Sequence, residues 1–518
     1  MVERIPCIPD PHRHIVTPSP HHFYHGWPVD TARPLRADSY ELRQHEVQSR
    51  TMYPLEDTIV AVSTPPGRGA IGIVRLSGPR AFEIARRVFR PRSAEPAETP
   101  APWPVRRVLL GTFVDPIEGE PIDTGFLVLF QAPRSFTGED LAEFHLHGSP
   151  PVLRAAVELL TRLGARPAQP GEFTYRAFVH GKVDLAQAEA LNDLIQADAL
   201  WQARSALRHL EGHLSRTLQA WKEDLIELVA RYEAAVDFGE AENIQFFAPG
   251  EAERRLDDLI ERLGGLLATY RQGRALREGL RVVIVGKPNA GKSSLFNALL
   301  REPRAIVTPL PGTTRDFITE RLIVDGLAVE LVDTAGVRET PEVVERLGIE
   351  RTLQRIAEAD LILWVLDGSI PLDAEDDAVY AVIRDKTFRA FRNKADLPAA
   401  WPPEVFTARY GTPLTGSVSC ETGSGVADVM DTIRAAVREV QQTWRDHAVV
   451  VTNARHEACL RRARKALQRA RYGVRTQAPE PIVLEDLRTA LRALDEITGE
   501  TDVEDILGRI FAQFCIGK

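Results

Sequence analysis

The chain has 518 residues, of which 44% are hydrophobic and 26% charged, and its formal net charge is −9 at pH 7. This length allows about three domains, and the composition is typical of an ordinary globular protein. The acidic balance argues against a protein that coats nucleic acid, so any RNA contact must use a local basic patch. No run of about 18 apolar residues occurs, and the four cysteines lack metal-ligand spacing, so we expect a soluble, cytoplasmic protein.

The first 51 residues differ in composition from the rest of the chain. They contain six of the 13 histidines and many prolines, and they show no apolar periodicity. Clustered imidazoles can bind zinc or nickel, but a disordered extension without function is the favoured interpretation. A targeting peptide fits poorly, because acidic residues are mixed in and an apolar segment is missing. Met52 is an alternative start of the protein. The clustered histidines are His12, His14, His21, His22 and His25.

Residues 52–180 are predicted to form an α+β domain, because short strand-like runs alternate with helical periodicity. Nothing in this segment indicates chemistry by itself, since Arg75 and the turn at 138–140 have the residue types of an ordinary surface. The predicted strands are Thr58–Val62, Ile71–Leu76, Val108–Val114 and Thr124–Phe130, and the predicted helices are Pro79–Phe89 and Leu153–Leu163.

Residues 181–277 and 441–518 are predicted to be two parts of one helical domain. Apolar residues recur at helical spacing through Asp184–Ala241 and through Glu251–Arg277, and helical sequence resumes from about Val426. The simplest arrangement inserts the intervening nucleotide domain, residues 278–440, into the helical domain, because the ends of a compact domain lie close together.

That inserted segment begins with a strand–loop–helix pattern. Val282–Val285 predict a buried strand, and an apolar-periodic helix follows. Between them stands Gly286-x-x-x-x-Gly291-Lys292-Ser293, the spacing of a P-loop, whose glycines allow backbone N–H groups to surround phosphate oxygens. Lys292 would reach the β- and γ-phosphates, and the Ser293 hydroxyl would coordinate Mg²⁺.

Two later motifs predict which nucleotide binds. The run Asp-Thr-Ala-Gly at 333–336 follows a strand, and it places Asp333 for contact with Mg²⁺ and Gly336 near the γ-phosphate. The run Asn-Lys-Ala-Asp at 393–396 fits base recognition. The Asp396 carboxylate can accept two hydrogen bonds from the N1–H and amino groups of guanine, a donor pair that adenine lacks. In this order after a P-loop, the motifs predict GTP.

One helix of this acidic chain is strongly basic, Arg455–Arg475. Contact with a phosphate backbone and a solvated face paired with neighbouring acids are equally supported by the sequence. Its central cations are Arg461, Arg462, Arg464, Lys465, Arg469 and Arg471.

Three features together resemble the MnmE (TrmE) family of GTPases, which modify tRNA uridines to the 5-carboxymethylaminomethyl form. They are the run Gly-Thr-Thr-Arg-Asp at 312–316, the turn Thr-Pro-Pro-Gly-Arg-Gly at 64–69, and the terminal Phe-Cys-Ile-Gly-Lys at 514–518, which generic translation-factor GTPases lack. The likeness runs from about Asp57 to Lys518. It implies an N-terminal α+β folate-binding domain that dimerises, a helical domain, and an inserted Ras-like G domain.

The resemblance also implies how hydrolysis is catalysed. Small GTPases often orient the attacking water with a Gln directly after the DTAG run, but Val337 stands there, and no arginine finger is evident. Members of this family instead bind K⁺ when two G domains dimerise. The family register selects Glu345 to position the water, whereas the sequence alone leaves Glu339 and Glu342 equally open. The implied K⁺ ligands are Asn289, Thr308, Leu310 and Thr313, and the implied Mg²⁺ ligands are Ser293 and Thr314.

The nucleotide site implied by the resemblance departs from the family pattern at one loop. Ser419-Cys420-Glu421 replaces Ser-Ala-Lys or Ser-Ala-Arg, which shortens the aliphatic stem over the base, so a lower nucleotide affinity is expected. The implied GTP-binding residues are Asn289, Ala290, Gly291, Lys292, Ser293, Ser294, Thr308, Pro309, Leu310, Pro311, Gly312, Thr313, Thr314, Asp333, Thr334, Ala335, Gly336, Asn393, Lys394, Ala395, Asp396, Ser419, Cys420 and Glu421.

A 5-formyltetrahydrofolate-like one-carbon donor is the second ligand that the resemblance implies. The matching positions carry cations for the glutamate tail and a carboxylate for the donor edge of the pterin. They are Arg75, Glu143, Lys182 and Lys518. Cys515 is a candidate nucleophile or redox group, but a buried structural cysteine is the favoured interpretation.

The implied activity is that of a homodimeric GTP hydrolase. With an FAD-containing partner (MnmG, also called GidA) in a heterotetramer, it would add a carboxymethylaminomethyl group to C5 of the wobble uridine of certain tRNAs. The chain lacks the G-x-G-x-x-G strand–helix signature for FAD, which agrees with a separate flavoprotein. Two alternatives stay open, an Era-like switch that docks on ribosomal RNA and a GTP-sensing scaffold. The folate-matching residues and the terminal motif do not suit the first alternative, and the second would show no dependence on K⁺.

Overall fold

The computed structural model describes residues 52–92, 103–238, 247–302, 306–308, 318–334, 352–500 and 504–517. Leu55–Lys518 belong to one structural unit. The predicted extension, residues 1–51, lies outside the described residues. Within the described part, none of the helices combines the length and apolar character needed to cross a membrane, and no group of three His, Cys, Asp or Glu side chains is placed to hold a metal.

The N-terminal part is built on a seven-stranded sheet. Its strands are β1 (Ile59–Val62), β2 (Gly72–Ser77), β3 (Phe89–Pro91), β4 (Leu109–Val114), β5 (Pro121–Phe130), β6 (Leu141–Leu146) and β7 (Arg166–Pro167). They lie in the order β3-β4-β5-β6-β2-β1-β7, and β7 pairs parallel to β1. The helices of this part are α1 (Ala81–Val88), α2 (Pro150–Arg162) and α3 (Glu172–Val179).

Strand β2 shows how the sheet separates core from surface. Val74 and Leu76 are buried in one core with residues of α1 and α2, such as Ile84. Successive side chains of a strand point to opposite faces, so Arg75 lies on the other side of the sheet. The antiparallel register places it directly opposite Glu143 of β6.

Five helices follow and lead into the nucleotide domain. They are α4 (Leu185–Ile195), α5 (Leu200–Leu210), α6 (His213–Phe238), α7 (Glu251–Ala268) and α8 (Tyr270–Glu278). The sequence predicts one helical run over Glu251–Arg277, but the structure divides it after Ala268. Thr269 ends α7, and its hydroxyl donates to the Leu266 carbonyl.

The inserted domain contains a second seven-stranded sheet. Its strands are β8 (Leu280–Val285), β9 (Ile306–Thr308), β10 (Ile318–Val324), β11 (Leu327–Asp333), β12 (Leu361–Asp367), β13 (Phe388–Asn393) and β14 (Gly416–Ser417). The order is β14-β13-β12-β8-β11-β10-β9, and the run from β14 to β11 is parallel. The helices are α9 (Lys292–Leu300), α10 (Ala374–Ile383), α11 (Pro403–Tyr410) and α12 (Val426–Asp446).

This topology positions the nucleotide motifs together. Strands β8, β12 and β13 are parallel neighbours, and β11 is parallel to β8 on its other side. Ligands of open α/β sheets bind outside the carboxyl ends of such strands. The P-loop, Asp333 and Asn393 all stand at these ends, so the fold brings distant sequence motifs to one edge.

The C-terminal helices return to those that precede the G domain. They are α13 (Ala454–Arg475), α14 (Glu480–Thr498) and α15 (Glu504–Phe511). Leu460 of α13 and Leu487 of α14 share one buried core with Leu225 of α6 and Leu256 of α7. The predicted fold class, an α+β domain and a helical domain with an inserted P-loop domain, is confirmed. The boundaries at 180, 277 and 440 stay predictions, and α12 continues through 440 to Asp446.

Candidate nucleotide-binding site

The P-loop backbone requires glycine at two positions. Gly286 has φ +154°, and a Cβ there would lie 2.2 Å from the Val365 carbonyl oxygen. Gly291 has φ +97°, and a Cβ would meet the Asn393 side-chain nitrogen at 2.0 Å. Other residues adopt such conformations with strain, and here they would also clash. Glycine therefore lets the loop pass close to Val365 of β12 and Asn393 of β13.

Lys292 is the buried cation of the loop. Its Nζ donates to the Lys287 carbonyl oxygen at 2.9 Å, so the side chain folds back along the loop toward the phosphate-binding turn. Burial lowers the pKa of the ammonium, and the Asp333 carboxylate opposes that shift. The position fits the role predicted for Lys292, because a partly desolvated cation gains most from a bound phosphate.

The Ser293 hydroxyl meets Asp333 at the carboxyl end of β11. Ser293 Oγ donates to Asp333 Oδ2 at 2.6 Å, and Asp333 is fully buried. Next to it, Thr334 Oγ1 donates to the Ile284 carbonyl at 2.8 Å, which ties the start of the DTAG run to the strand before the P-loop. A hydroxyl and a carboxylate oxygen are suitable ligands or water-bridged partners for Mg²⁺. The residues present therefore fit this ion.

The base-recognition run is fastened to the P-loop through Asn393. Its Nδ2 donates to the Ala290 carbonyl at 2.9 Å, and the Cys420 thiol lies 3.4 Å from its Oδ1. Burial raises the pKa of Cys420 to about 11, so the thiol stays protonated and can donate. Beside it, Ser419 Oγ donates to Asp396 Oδ1 at 2.5 Å, which orients the carboxylate predicted to read guanine.

The remaining predicted nucleotide residues fall into two groups. Asn289 and Ser294 are exposed at the P-loop, and Ala395 and Glu421 are exposed on the base-recognition loops. Others are not described: for Thr308 the structure describes only the strand backbone, and Pro309, Leu310, Pro311, Gly312, Thr313, Thr314, Ala335, Gly336 and Glu345 lie outside the described residues.

Two functional-site contacts were missed by the sequence reasoning. Lys394 Nζ donates to Asp367 Oδ2 at 2.5 Å, and Lys287 Nζ is held by Asp373 and Asp376. Asp367 is the last residue of β12, and all the residues before it in this strand, Leu361–Leu366, are apolar. A carboxylate at the end of such a strand could have been recognised from the sequence as a site residue, because the carboxyl ends of parallel strands meet at the ligand edge.

Two of the predicted folate positions, Arg75 and Glu143, lie on the face of the N-terminal sheet opposite the core formed with α1 and α2. Arg75 pairs with Glu143 across β2 and β6 at 2.8 Å, and its guanidinium lies 5.3 Å from the centre of the Phe136 ring. Burial acts against ionisation of Glu143, but His145 and Arg75 outweigh it and hold the carboxyl pKa below its usual range. Lys182 is exposed and donates to the Pro133 carbonyl at 3.0 Å, while Lys518 lies outside the described residues.

The end of the chain returns to this N-terminal domain. Ser63 Oγ donates to the Gly517 carbonyl at 2.9 Å, and Ile516 forms a bridge with Pro170. The expectation of a buried Cys515 is wrong, because this residue is exposed. The tail is held there by backbone atoms, as the Cys515 carbonyl accepts from the Gly171 amide at 3.5 Å, and this leaves the side chain free to face outward.

Four of the six central cations of α13 form ion pairs with acids of the same chain. Arg471 pairs with Asp257 at 2.5 Å, and Arg469 pairs with Asp486 at 2.6 Å. Arg461 and Arg462 form ion pairs with Glu457 and Glu496. This favours the alternative in which the basic face is paired with neighbouring acids.

Fold and site together define a P-loop nucleotide-binding protein of the GTPase class. Residues 58–182 match the model of the "GTP-binding protein TrmE N-terminus", and residues 185–515 match that of the "MnmE helical domain". The chain therefore belongs to the MnmE family of tRNA modification GTPases. This confirms the predicted family and the predicted class of enzyme.

Individual relatives agree over nearly the whole chain. The chain is 42% identical over 466 residues to the tRNA modification GTPase MnmE of Aquifex aeolicus, covering 90% of this chain and all of the relative. It is 44% identical over 464 residues to the Thermus thermophilus protein of that name, with the same coverage. Among solved structures, Aquifex aeolicus Era with GDP·AlF₄⁻ is 27% identical over 30% of this chain and 56% of its own, with a TM-score of 0.24.

Proposed function

We propose that this protein is a GTP hydrolase whose cycle drives tRNA modification. The observation that carries the proposal is the link between the P-loop and the base-recognition run, where Asn393 donates to the Ala290 carbonyl at 2.9 Å. This contact holds the phosphate and base subsites next to each other, which supports the binding of one guanine nucleotide across both. Membership in the MnmE family supports the tRNA step.

The chain's own residues suit this reaction. With its ammonium at the Lys287 carbonyl, Lys292 would contact the β- and γ-phosphates, and it would neutralise charge in a desolvated site. Mg²⁺, held by Ser293 and Thr314 with Asp333 behind them, would supply Lewis-acid stabilisation of the phosphates. Asp396 would accept from guanine, and Ser419 would keep its carboxylate oriented.

Hydrolysis is proposed to depend on K⁺ and on pairing of two G domains. The chemical reason is that Val337 cannot orient water and no arginine finger is evident in the sequence. Asn289, Thr308, Leu310 and Thr313 would hold the ion, whose charge replaces that of the finger. Asn289 fits this role, since it is exposed beside the P-loop in a left-handed conformation with φ +60°. Glu345 is proposed to position the water.

The one-carbon chemistry is proposed to occur at the N-terminal domain. Arg75 and Glu143 offer a cation and a carboxylate on one sheet face, and Lys182 and Lys518 would add cations for the folate tail. Addition of the carboxymethylaminomethyl group at C5 of the wobble uridine would use a folate one-carbon unit and an FAD-containing partner, in the cytoplasm. A homodimer joined to that partner is the proposed assembly.

The test is GTP turnover by the purified protein in K⁺ and in Na⁺ buffers of equal ionic strength. A large stimulation by K⁺ supports the proposed cycle, whereas equal rates contradict it. Titration with 5-formyltetrahydrofolate separates the proposal from an RNA-docking switch, because only the proposed enzyme should bind the folate. Arg75→Ala should abolish that binding and leave GTP hydrolysis intact.

A further inference from the structure

A second lysine of the P-loop is buried without any part in the proposed chemistry. Lys287 is 5% exposed, and its Nζ lies 2.8 Å from Asp373 Oδ2 and 2.8 Å from Asp376 Oδ2. Asp376 is 1% exposed. Removing one partner of a buried ion pair leaves an uncompensated charge, so the ammonium is firmly held by Asp376.

The same residue shapes the loop through its main chain. The Lys287 carbonyl accepts from the Ala290 amide at 3.3 Å and from Lys292 Nζ at 2.9 Å. One bond closes the turn of the loop, and the other orients the cation that would meet the phosphates. Fixing the side chain of Lys287 therefore restricts the carbonyl on which both bonds depend.

The two carboxylates lie at the N-terminal end of helix α10. Asp373 caps helix α10, where its side chain accepts from the amides of Glu375 and Asp376. Arg409 of α11 donates to the Asp373 carbonyl at 3.3 Å. The anchor thus connects the P-loop after β8 to the helix that follows the neighbouring strand β12.

We propose that Lys287 is a positioning residue of the nucleotide site, which holds the P-loop in its phosphate-binding shape by bridging the loop to Asp373 and Asp376 at the start of α10. It acts through its carbonyl and through Lys292, without touching the nucleotide. The inference rests on the proposed function, because it assumes that the P-loop binds a guanine nucleotide.

Charge is essential to this role, since a neutral side chain would leave two carboxylates facing each other. An arginine keeps the positive charge and can pair with both acids. Loss of the Lys287 ion pairs lets the P-loop adopt other conformations. Nucleotide affinity then falls, because only the fraction of molecules with the phosphate-binding loop shape can bind.

The experiment compares full-length wild type, Lys287→Gln, Lys287→Arg and the charge-compensated double variant Lys287→Gln/Asp376→Asn. Dissociation of a fluorescent GDP analogue is measured by stopped flow, and thermal unfolding is measured without nucleotide. Lys287→Gln and the double variant should release GDP about tenfold faster, which corresponds to about 1.4 kcal/mol. Lys287→Arg should restore the wild-type rate.

Asp377→Asn is the matched control, because Asp377 is the next residue of α10 and pairs with Arg409 instead of Lys287. It should leave the GDP release rate unchanged. Wild-type release from the double variant, or failure of Lys287→Arg to restore the rate, would overturn the inference. If Lys287→Gln is not recovered folded, the double variant decides by the same measurement. A wild-type protein that binds no guanine nucleotide would instead refute the proposed function.

Discussion

The backbone amide of Trp201 donates to the Gly326 carbonyl, with an N–O distance of 3.3 Å. Trp201 belongs to α5, and Gly326 forms the tip of the β10–β11 hairpin in the G domain. A Cβ on Gly326 would lie 3.2 Å from Trp201 Cδ1, so the glycine allows this close packing. The other end of the hairpin reaches Asp333, and the hairpin therefore connects the nucleotide site to the helical domain.

Replacement of Trp201 should weaken this connection. The indole is buried with Leu280, Val324 and Leu327 of the G domain and packs edge-on against Trp444 at 5.1 Å. Trp201→Ala should lower the free energy of unfolding by about 3–5 kcal/mol, because it removes a large buried ring. Urea unfolding followed by far-UV circular dichroism measures the loss. Leu200→Ala, at an exposed neighbouring position, should change it little.

Asp396→Asn should exchange the base preference of the site. The amide would present a donor where guanine also presents one, whereas xanthine offers an acceptor there. We expect affinity for GDP to fall about 100-fold or more and affinity for xanthosine diphosphate to rise, as measured by competition with a fluorescent nucleotide. Asp385→Asn, at an exposed position, is the control. Unchanged selectivity would count against the base-recognition argument.

Glu345→Ala should separate binding from hydrolysis. The variant should retain wild-type affinity for GTP and lose most of its K⁺-stimulated turnover, because the attacking water would no longer be oriented. Single-turnover hydrolysis in K⁺ buffer is the measurement. Glu339→Ala and Glu342→Ala are matched controls, and loss of turnover in either of them with an active Glu345→Ala would reassign the role.

Glu189 should give the helical domain an acid-sensitive component of stability. Its carboxylate lies 2.7 Å from His456 Nε2 and 2.8 Å from Arg455 Nη2. Burial alone would raise the pKa of Glu189, but these cations lower it from an ordinary 4.5 to about 2. Because the pKa is lower in the folded than in the unfolded state, the ionised carboxylate stabilises the fold fully when the pH is above the unfolded-state pKa of about 4.5. This contribution is lost as the pH falls from about 4.5 toward 2.

The variant Glu189→Gln tests whether this carboxylate stabilises the folded state at neutral pH and loses that effect in acid. The shift corresponds to about 3 kcal/mol at pH 7, so the variant should unfold at lower urea concentration there. The difference from wild type should shrink once the pH falls below about 4.5. Glu223→Gln, on an exposed stretch of α6, should show no such pattern. A difference that is constant from pH 7 to pH 3 would contradict the assignment.

Local sequence motifs predicted most of the nucleotide site. The P-loop, the run at 333–336 and the run at 393–396 each combine a fixed spacing with residue types that a phosphate, a metal or a base requires. Their order along the chain indicated GTP. The structure shows a parallel sheet that brings them to one edge, and it joins Asn393 to Ala290 and Ser293 to Asp333.

Other features depend on partners that are distant in sequence. The basic face of α13 could bind RNA or pair internally, and the ion pairs that favour internal pairing use distant acids such as Asp257 of α7. Cys515 was expected to be a buried structural cysteine, but the tail is held by main-chain bonds that leave the thiol outside. Sequence spacing cannot predict either outcome, since both depend on which surface the segment meets.

By itself, the sequence determined the family, the order of domains and the residues that suit phosphate, Mg²⁺ and guanine, because these follow from local patterns of residue type. Only the tertiary structure showed that Lys287 is held by Asp373 and Asp376 and that Trp201 packs on Gly326. Those contacts join residues 86 or more positions apart, and their energy comes from burial and charge pairing that exist only after the chain has folded.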